Sequence, residues 1–381
     1  MELRTDSALT AEQRAIRDVV HEFAVEELRP AAQEHDAEES FPEAAWDRLA
    51  ELDITGLTVP AEYGGFDADS GTYAVVNEAV AYGHLAVATA LSVHCLATSC
   101  IAEFGSEEVK DEWLPEMVDG RPVGAFCLSE PDAGSNPAQM STTAEKTEDG
   151  YRISGEKQWI TNGQRAGVYI VFAKTDPEDR GSITQFLVPA DYDGVKVGKK
   201  EHKLGLRASD TTGMTFDGVE IPEKYRLTPE GKGLSAAFKI LTGGRLGIAS
   251  QAVGVAQAAL DEAIAYAGER EQFGKPIGDI GAIRQKVADM ATQVEASRLL
   301  CREAARQADA GEDSRVIASM AKYFASEAAM DVTNEAVQIH GGYGYMAEFD
   351  VERFYRDAKI TTIYEGTSEI QKTIVARDLL D

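Results

Sequence analysis

The hydrophobic period changes twice along this chain, from helix-like to strand-like and back, and no other feature limits the possible folds as strongly. Thr10 and Gln13 have capping-box spacing, and behind them Ile16, Val19, Val20, Phe23 and Leu28 recur as one apolar helix face. Pro42 suits the first position of a second helix carrying Trp46, Leu49 and Leu52. Val75 to Ala102 is apolar and long enough for one or two buried helices. From about Pro122 to Pro229 the pattern becomes strand-like. Asp149-Gly150 between Thr142–Glu145 and Tyr151–Ser154 is a hairpin signal, and Val168–Ala173, Ile183–Val188 and Met214–Ile221 are rich in β-formers. Helical spacing then returns in Gly233–Arg270, Asp279–Ala310 and Ser314–His340, lengths that suit long antiparallel helices in a bundle. The expected architecture is multidomain α and β: a helical domain over residues 1–121, a β domain over 122–229 and a second helical domain over 230–381.

With 381 residues, 44% of them hydrophobic, the chain can bury two or three cores. A net charge of −28 opposes contact with phosphate backbones, so nucleic acid is not an expected partner. Because the excess acid is spread along the whole chain, it also suggests a halophilic surface, solvated in concentrated salt. No run approaches 18 uninterrupted apolar residues, so no membrane insertion is expected. Met1 to Thr10 carry Glu2, Arg4 and Asp6 rather than a secretory signal, which points to the cytoplasm. Cys95, Cys100, Cys127 and Cys301 form no CxxC, and six scattered histidines form no HExxH, so no metal site is expected.

Several short segments carry possible chemistry. Gly342 to Ala347 matches a dinucleotide fingerprint in letters only. It follows a helix and lies outside any βαβ unit, so it is rejected. Phe126 to Asn136 runs from an apolar start into Pro131 and Gly134. It reads either as an ordinary strand-to-loop transition or as an irregular loop whose amides and hydroxyls meet a polar cofactor. Trp159, in Lys157 to Gly163, is either core or a flat wall for an aromatic ring. Near the C-terminus, Ser368 and Gln371 have capping-box spacing. Glu365 lies just outside that helix, beside Gly366, with Ile360, Ile363 and Tyr364 nearby. A carboxylate in apolar surroundings has a raised pKa, which suits a general base.

Taken together, CLSEPDAGSN, QWITNG, KLGLRASDTT, Glu269 to Gly274 (ERxQFG), QIHGGYGY and IYEGTSEIQ stand in the order in which they occur in the acyl-CoA dehydrogenase family. The chain resembles that family over its whole length, and Gly244 to Gly254 looks most like the short-chain (butyryl) branch. The resemblance implies an N-terminal helical domain, a middle β-barrel-like domain, a C-terminal four-helix bundle and non-covalent FAD. It implies that Phe126, Leu128 and Ser129 line the flavin and that Trp159 and Thr161 close it. Arg270, Phe273, Gln338, Gly341 and Gly342 would reach the FAD of a neighbouring subunit in a homotetramer, and Thr367 and Glu369 would sit at its nucleotide end. Ser135, Arg245, Tyr364 and Gly366 would contact an acyl-CoA substrate. Glu365 would remove the α-proton while the flavin takes a hydride, giving the trans-2-enoyl-CoA and passing electrons to an electron-transferring flavoprotein.

Two positions depart from the family pattern: Gly281 stands where relatives commonly place a Gln near FAD, and Thr242 where short-chain relatives tend to place an Asp. Gly244 occupies the place used for the base in isovaleryl- and long-chain-type relatives. Ala88 lies near the place where glutaryl-type enzymes carry an Arg. A linear short or medium acyl chain is therefore expected. The alternatives are an acyl-CoA oxidase that uses oxygen and a flavin-binding scaffold without catalysis.

Overall fold

The computed structural model describes residues 9–380. Glu2, Arg4 and Asp6, on which the argument against a secretory signal rests, lie outside the described residues.

Six helices come first: α1 (Ala11–Phe23), α2 (Arg29–Glu38), α3 (Glu43–Glu51), α4 (Ser70–Gly83), α5 (Leu85–Phe104) and α6 (Glu107–Val118). The Thr10–Gln13 capping box forms in both directions, each contact 3.1 Å. Pro42 stands just before α3 rather than at its first turn position. The apolar stretch from Val75 divides at His84, which adopts an extended conformation between α4 and α5. By length and composition α5 could cross a bilayer, but 89% of its apolar window is buried within the protein.

Seven strands follow: β1 (Val123–Cys127), β2 (Thr143–Lys146), β3 (Gly150–Thr161), β4 (Ala166–Lys174), β5 (Ile183–Pro189), β6 (Val195–Lys200) and β7 (Thr211–Pro222). The expected hairpin is β2–β3, and the three other expected strands fall within β4, β5 and β7. The sheet runs β1-β4-β2-β3-β7-β6, with β5 also on β4. It is an open sheet and not a barrel. β6 pairs only with β7, and its lysines, Lys196, Lys199 and Lys200, guard that free edge against further strands.

The chain returns to helix in α7 (Gly233–Glu269), α8 (Gly281–Asp309), α9 (Arg315–His340), α10 (Asp350–Ala358) and α11 (Ser368–Leu380), with a small hairpin, β8 (Glu271–Gln272) and β9 (Lys275–Pro276), before α8. From Gly244 to Ala259 almost every residue of α7 is buried, because the helix runs through the centre of the bundle with α4 and α9 against it. At Gly254 a side chain would meet Ala81 and the backbone of α4, so only glycine allows this approach.

Three joints hold the parts in register. His94 of α5 accepts the Gly124 N–H (3.0 Å) and donates to the Met117 carbonyl (3.1 Å); burial keeps it neutral, with its pKa pushed down to about 4. Asn162 donates to the carbonyls of Ala90 and Gly124. In KLGLRASDTT, Gly205 lies against the Arg356 backbone and the Leu206 N–H donates to Asp357 (2.6 Å). That motif is therefore a structural joint between sheet and bundle. The four cysteines are all free and buried.

Candidate active site

Glu365 sits in the turn between α10 and α11 at φ 50°, a left-handed conformation costly for a residue with a side chain. The turn is half-buried, but the end of the side chain is sealed: Oε2 is buried without a hydrogen-bond partner. It lies against α7, where a Cβ built on Gly244 would collide with Oε2 and come within 3.2 Å of the carboxyl carbon and 3.3 Å of Leu96 on α5. Burial pushes the carboxyl pKa up to about 7, with the charges of Lys322 and Arg245 opposing the rise. The apolar surroundings come from Leu96 and the glycine face of α7. Ile363, expected to contribute, is 49% exposed and faces away from that role.

A strained turn needs outside support, and α9 and α11 provide it. The Lys322 ammonium, fully buried, donates to the Gly366 carbonyl (2.7 Å). Gln371 Nε2 donates to the carbonyls of Glu365 (3.2 Å) and Gly366 (3.0 Å). Ser326 donates to the Thr361 carbonyl (2.8 Å) and Ser368 to Glu327 (2.6 Å). The cap of α11 is thus Thr367, whose hydroxyl accepts the Ile370 N–H (3.4 Å), and not Ser368. Gln371, expected to reach back to an N–H, binds two carbonyls instead. On the other side, the Tyr364 hydroxyl meets Gln251 (3.3 Å) and Thr89 (3.4 Å), and Gln251 is itself held by Asn77 and the Ala88 carbonyl. None of Lys322, Gln251 or Thr89 was singled out from sequence, and Gln371 was singled out only for a cap. Lys322 had a signal: a lysine among the small residues Ala318, Ser319, Ala321, Ala325 and Ser326. Arg245 is buried beside Glu365, and its Nε has no partner.

The flavin-wall candidates gather where β1 meets β3. Phe126 and Leu128 are half-buried, and the Phe126 ring leans on Phe172 with centroids 4.9 Å apart. The Ser129 carbonyl accepts the Gln158 N–H (3.0 Å). Beneath them Lys157 and Glu130 form a buried ion pair (2.9 Å), and Glu130 also accepts from Ser141 and Thr142, which ties the loop down. Trp159 occupies a bulge between Lys157 and Ile160 at φ 57°, which turns its ring outward to 59% exposure. It is exposed and not core. Thr161 is half-buried beside it, while Ser135 stands exposed in the loop after β1.

A second group lies elsewhere. Arg270, Gly341 and Gly342 line one cleft with Tyr266, His340 and Tyr343. Gln338 is exposed nearby, and Phe273, at the tip of the β8–β9 hairpin, is 92% exposed. Gln338 and Lys322 are sixteen residues apart on α9, about 24 Å along the axis. The structure does not bring this group to Glu365. Gly342 to Ala347 follows helix α9 directly, consistent with its rejection as a nucleotide loop. Thr367 and Glu369 flank the Glu365 turn, Glu369 exposed. Gly281 opens α8 with free space around it, and the Thr242 hydroxyl is used on its own helix by the Phe238 carbonyl (3.1 Å).

Known proteins give the same arrangement a class. Three family descriptions match in order: acyl-CoA dehydrogenase N-terminal domain over residues 10–121, middle domain over 125–219 and C-terminal domain over 231–380. An acyl-CoA dehydrogenase of Bacillus subtilis (strain 168) is 44% identical, covering 98% of this chain and 99% of its own length. The mitochondrial short-chain specific acyl-CoA dehydrogenase of Bos taurus is 43% identical over 96% of this chain and 89% of its own. The solved butyryl-CoA dehydrogenase of Megasphaera elsdenii superposes with a TM-score of 0.95 at 40% identity, with both chains fully covered. These matches place the helical–sheet–helical chain among oxidoreductases of the flavoprotein dehydrogenase class. The chain belongs to the acyl-CoA dehydrogenase family.

Proposed function

We propose that this chain oxidises a linear short- or medium-chain acyl-CoA to the trans-2-enoyl-CoA, with Glu365 as the base that takes the α-proton. The observation that carries the reading is the state of the Glu365 carboxylate: sealed, without a hydrogen-bond partner on Oε2, and held near pKa 7 by burial. A base poised near the operating pH loses least in either protonation state. The Glu365 N–H takes part in no hydrogen bond among the described residues, which leaves it able to donate to a thioester carbonyl and stabilise charge developing there.

The residues at the β1–β3 junction fit FAD. The outward Trp159 ring, half-buried Phe126 and Leu128, and the Ser129 and Thr161 hydroxyls offer a flat apolar wall with polar edges. Bound FAD supplies the hydride acceptor. Arg245 serves the substrate, with Tyr364 and Gly366 shaping the turn it meets, and Ser135 is an outer contact for the CoA portion. Arg270, Phe273, Gln338, Gly341 and Gly342 serve a second subunit's FAD, and Thr367 and Glu369 its nucleotide end, in a homotetramer. An electron-transferring flavoprotein is the acceptor. A chain from work on the electron transferring flavoprotein of Acidaminococcus fermentans has a TM-score of 0.96 to this one at 39% identity, which supports that choice.

The test is anaerobic mixing of the yellow protein with butyryl-CoA. Bleaching of the flavin absorbance is expected, and its absence across a panel of short- and medium-chain acyl-CoAs would leave only the scaffold reading. Oxygen consumption with peroxide formation in air would move the assignment to an oxidase.

A further inference from the structure

Lys322 is a buried ammonium that the reaction above does not use. Its side chain is fully enclosed within the bundle, and among the described residues its hydrogen-bond acceptor is the carbonyl of Gly366, the residue after the proposed base (2.7 Å). An ammonium is costly to bury, and a buried one needs anionic or strongly polar neighbours. The acids that face it are Glu365, Glu327 and Glu369. The charged or titratable groups that face Glu365 in turn are Lys322 from α9, Arg245 from α7, and Tyr73 and Tyr364 from α4 and the turn itself. Glu327 is engaged by Ser368 and Glu369 lies on the exposed side of α11, so Glu365 is the acid left inside without a hydrogen-bonded partner on Oε2.

We infer that Lys322 is the positioning residue of this site: its ammonium clamps the Gly366 carbonyl, holds Glu365 in its left-handed conformation and keeps the neighbouring carboxylate ionised. The inference rests on Glu365 being the base. Lys322 and Gln371 together occupy the carbonyls of Glu365 and Gly366, which fixes the turn from two helices at once. The electrostatic part follows from the same geometry. Burial pulls the Lys322 pKa down to about 8, with Glu365 opposing the fall, while burial pushes Glu365 up to about 7. The active form, Glu365 ionised and Lys322 protonated, is therefore most populated between those two values. Below about 7 the base is protonated, and above about 8 the clamp loses its charge.

The experiment uses the FAD-loaded protein and its Lys322→Met, Lys322→Gln and Glu365→Gln variants. Flavin reduction by saturating butyryl-CoA is followed without oxygen across a pH series. The infrared band of the protonated Glu365 carboxyl, assigned by its loss in Glu365→Gln, is titrated separately without substrate. The native rate is expected to rise through about pH 7 and fall above about pH 8. In Lys322→Met the acid limb and the infrared titration both move up by about one unit or more, the alkaline fall disappears, and the rate at neutral pH drops roughly tenfold or more. Lys322→Gln keeps a donor for the Gly366 carbonyl but no charge. It should show the same shift with a smaller loss of limiting rate. The proposal is overturned if Glu365→Gln is inactive while both Lys322 variants titrate like the native protein, since Lys322 would then only fill space. Normal flavin reduction in Glu365→Gln would overturn the base itself, and the inference with it.

Discussion

The Glu365 turn and the β8–β9 hairpin both border the C-terminal bundle, and both hold a non-glycine residue at positive φ: Glu365 at 50° and Phe273 at 55°. They are supported in opposite ways. Around Glu365, three side chains of α9 and one of α11 hold the backbone or the first residue of α11, and the carboxylate points inward against Gly244. Phe273 projects 92% exposed, followed by Gly274 at φ 77°, in a hairpin turn of the type that needs two positive φ values. Nearby Arg270 is exposed, with its guanidinium 5.7 Å from the Tyr343 ring. One loop is finished within a single chain; the other leaves its most distinctive side chains at the surface. Chemistry that depends on a tuned pKa needs the first kind of loop, and contact with a second molecule needs the second.

The comparison breaks most decisively at Glu365. Glu365→Gln keeps the shape and removes the proton acceptor, so FAD and acyl-CoA binding should persist while flavin reduction slows by roughly 10²-fold or more. Near-normal bleaching would show that the inward loop serves structure alone.

Relocating the carboxylate sharpens the same point. Because a Cβ at position 244 would occupy the place of Glu365 Oε2, the two positions compete for one volume. Gly244→Glu alone should therefore be destabilised by overpacking, on the order of 1–3 kcal/mol, and reduce flavin poorly. Glu365→Gly should nearly abolish reduction, and the double variant should regain a measurable part of it, short of full rate because position and pKa both change. Anaerobic reduction at matched FAD content decides. A double variant no faster than Glu365→Gly would mean that Gly244 does not face the substrate α-carbon.

The outward loop gives a smaller effect. Arg270→Ala should weaken FAD retention and subunit association together, by about tenfold, as expected for one charge-assisted hydrogen bond. Gel filtration with flavin absorbance reads both, and unchanged retention would remove the interfacial role. The smallest effect concerns the surface as a whole. With a net charge of −28, screening should raise the melting temperature in molar salt by several degrees, roughly. A salt-independent melting curve would end the halophilic reading without touching the reaction.

Much of this was legible in the sequence because periodicity is local. The three long helices, the β2–β3 hairpin and the Thr10 cap follow from residues a few positions apart. Errors arose where the deciding partner is remote. Ser368 has the spacing of a cap, but Glu327 on α9 takes its hydroxyl and leaves the cap to Thr367. Strand pattern cannot tell an open sheet from a closed one, because closure depends on which strands become edges, and here β6 remains one. Trp159 was ambiguous until the bulge at Lys157–Ile160 turned it outward.

The order of motifs was enough to name a family and to single out Glu365 among 65 acidic residues. Sequence also determined the lengths of the three long C-terminal helices and the helical–sheet–helical order, since these depend on patterns repeated every two to four residues. Only the tertiary structure decided what surrounds that carboxylate: Gly244 from α7, Leu96 from α5, Lys322 from α9 and Gln371 from α11. A pKa depends on burial and on charges within a few ångströms in space. The charges that oppose its rise here come from positions 245 and 322, and a distance of that kind leaves no mark on local periodicity.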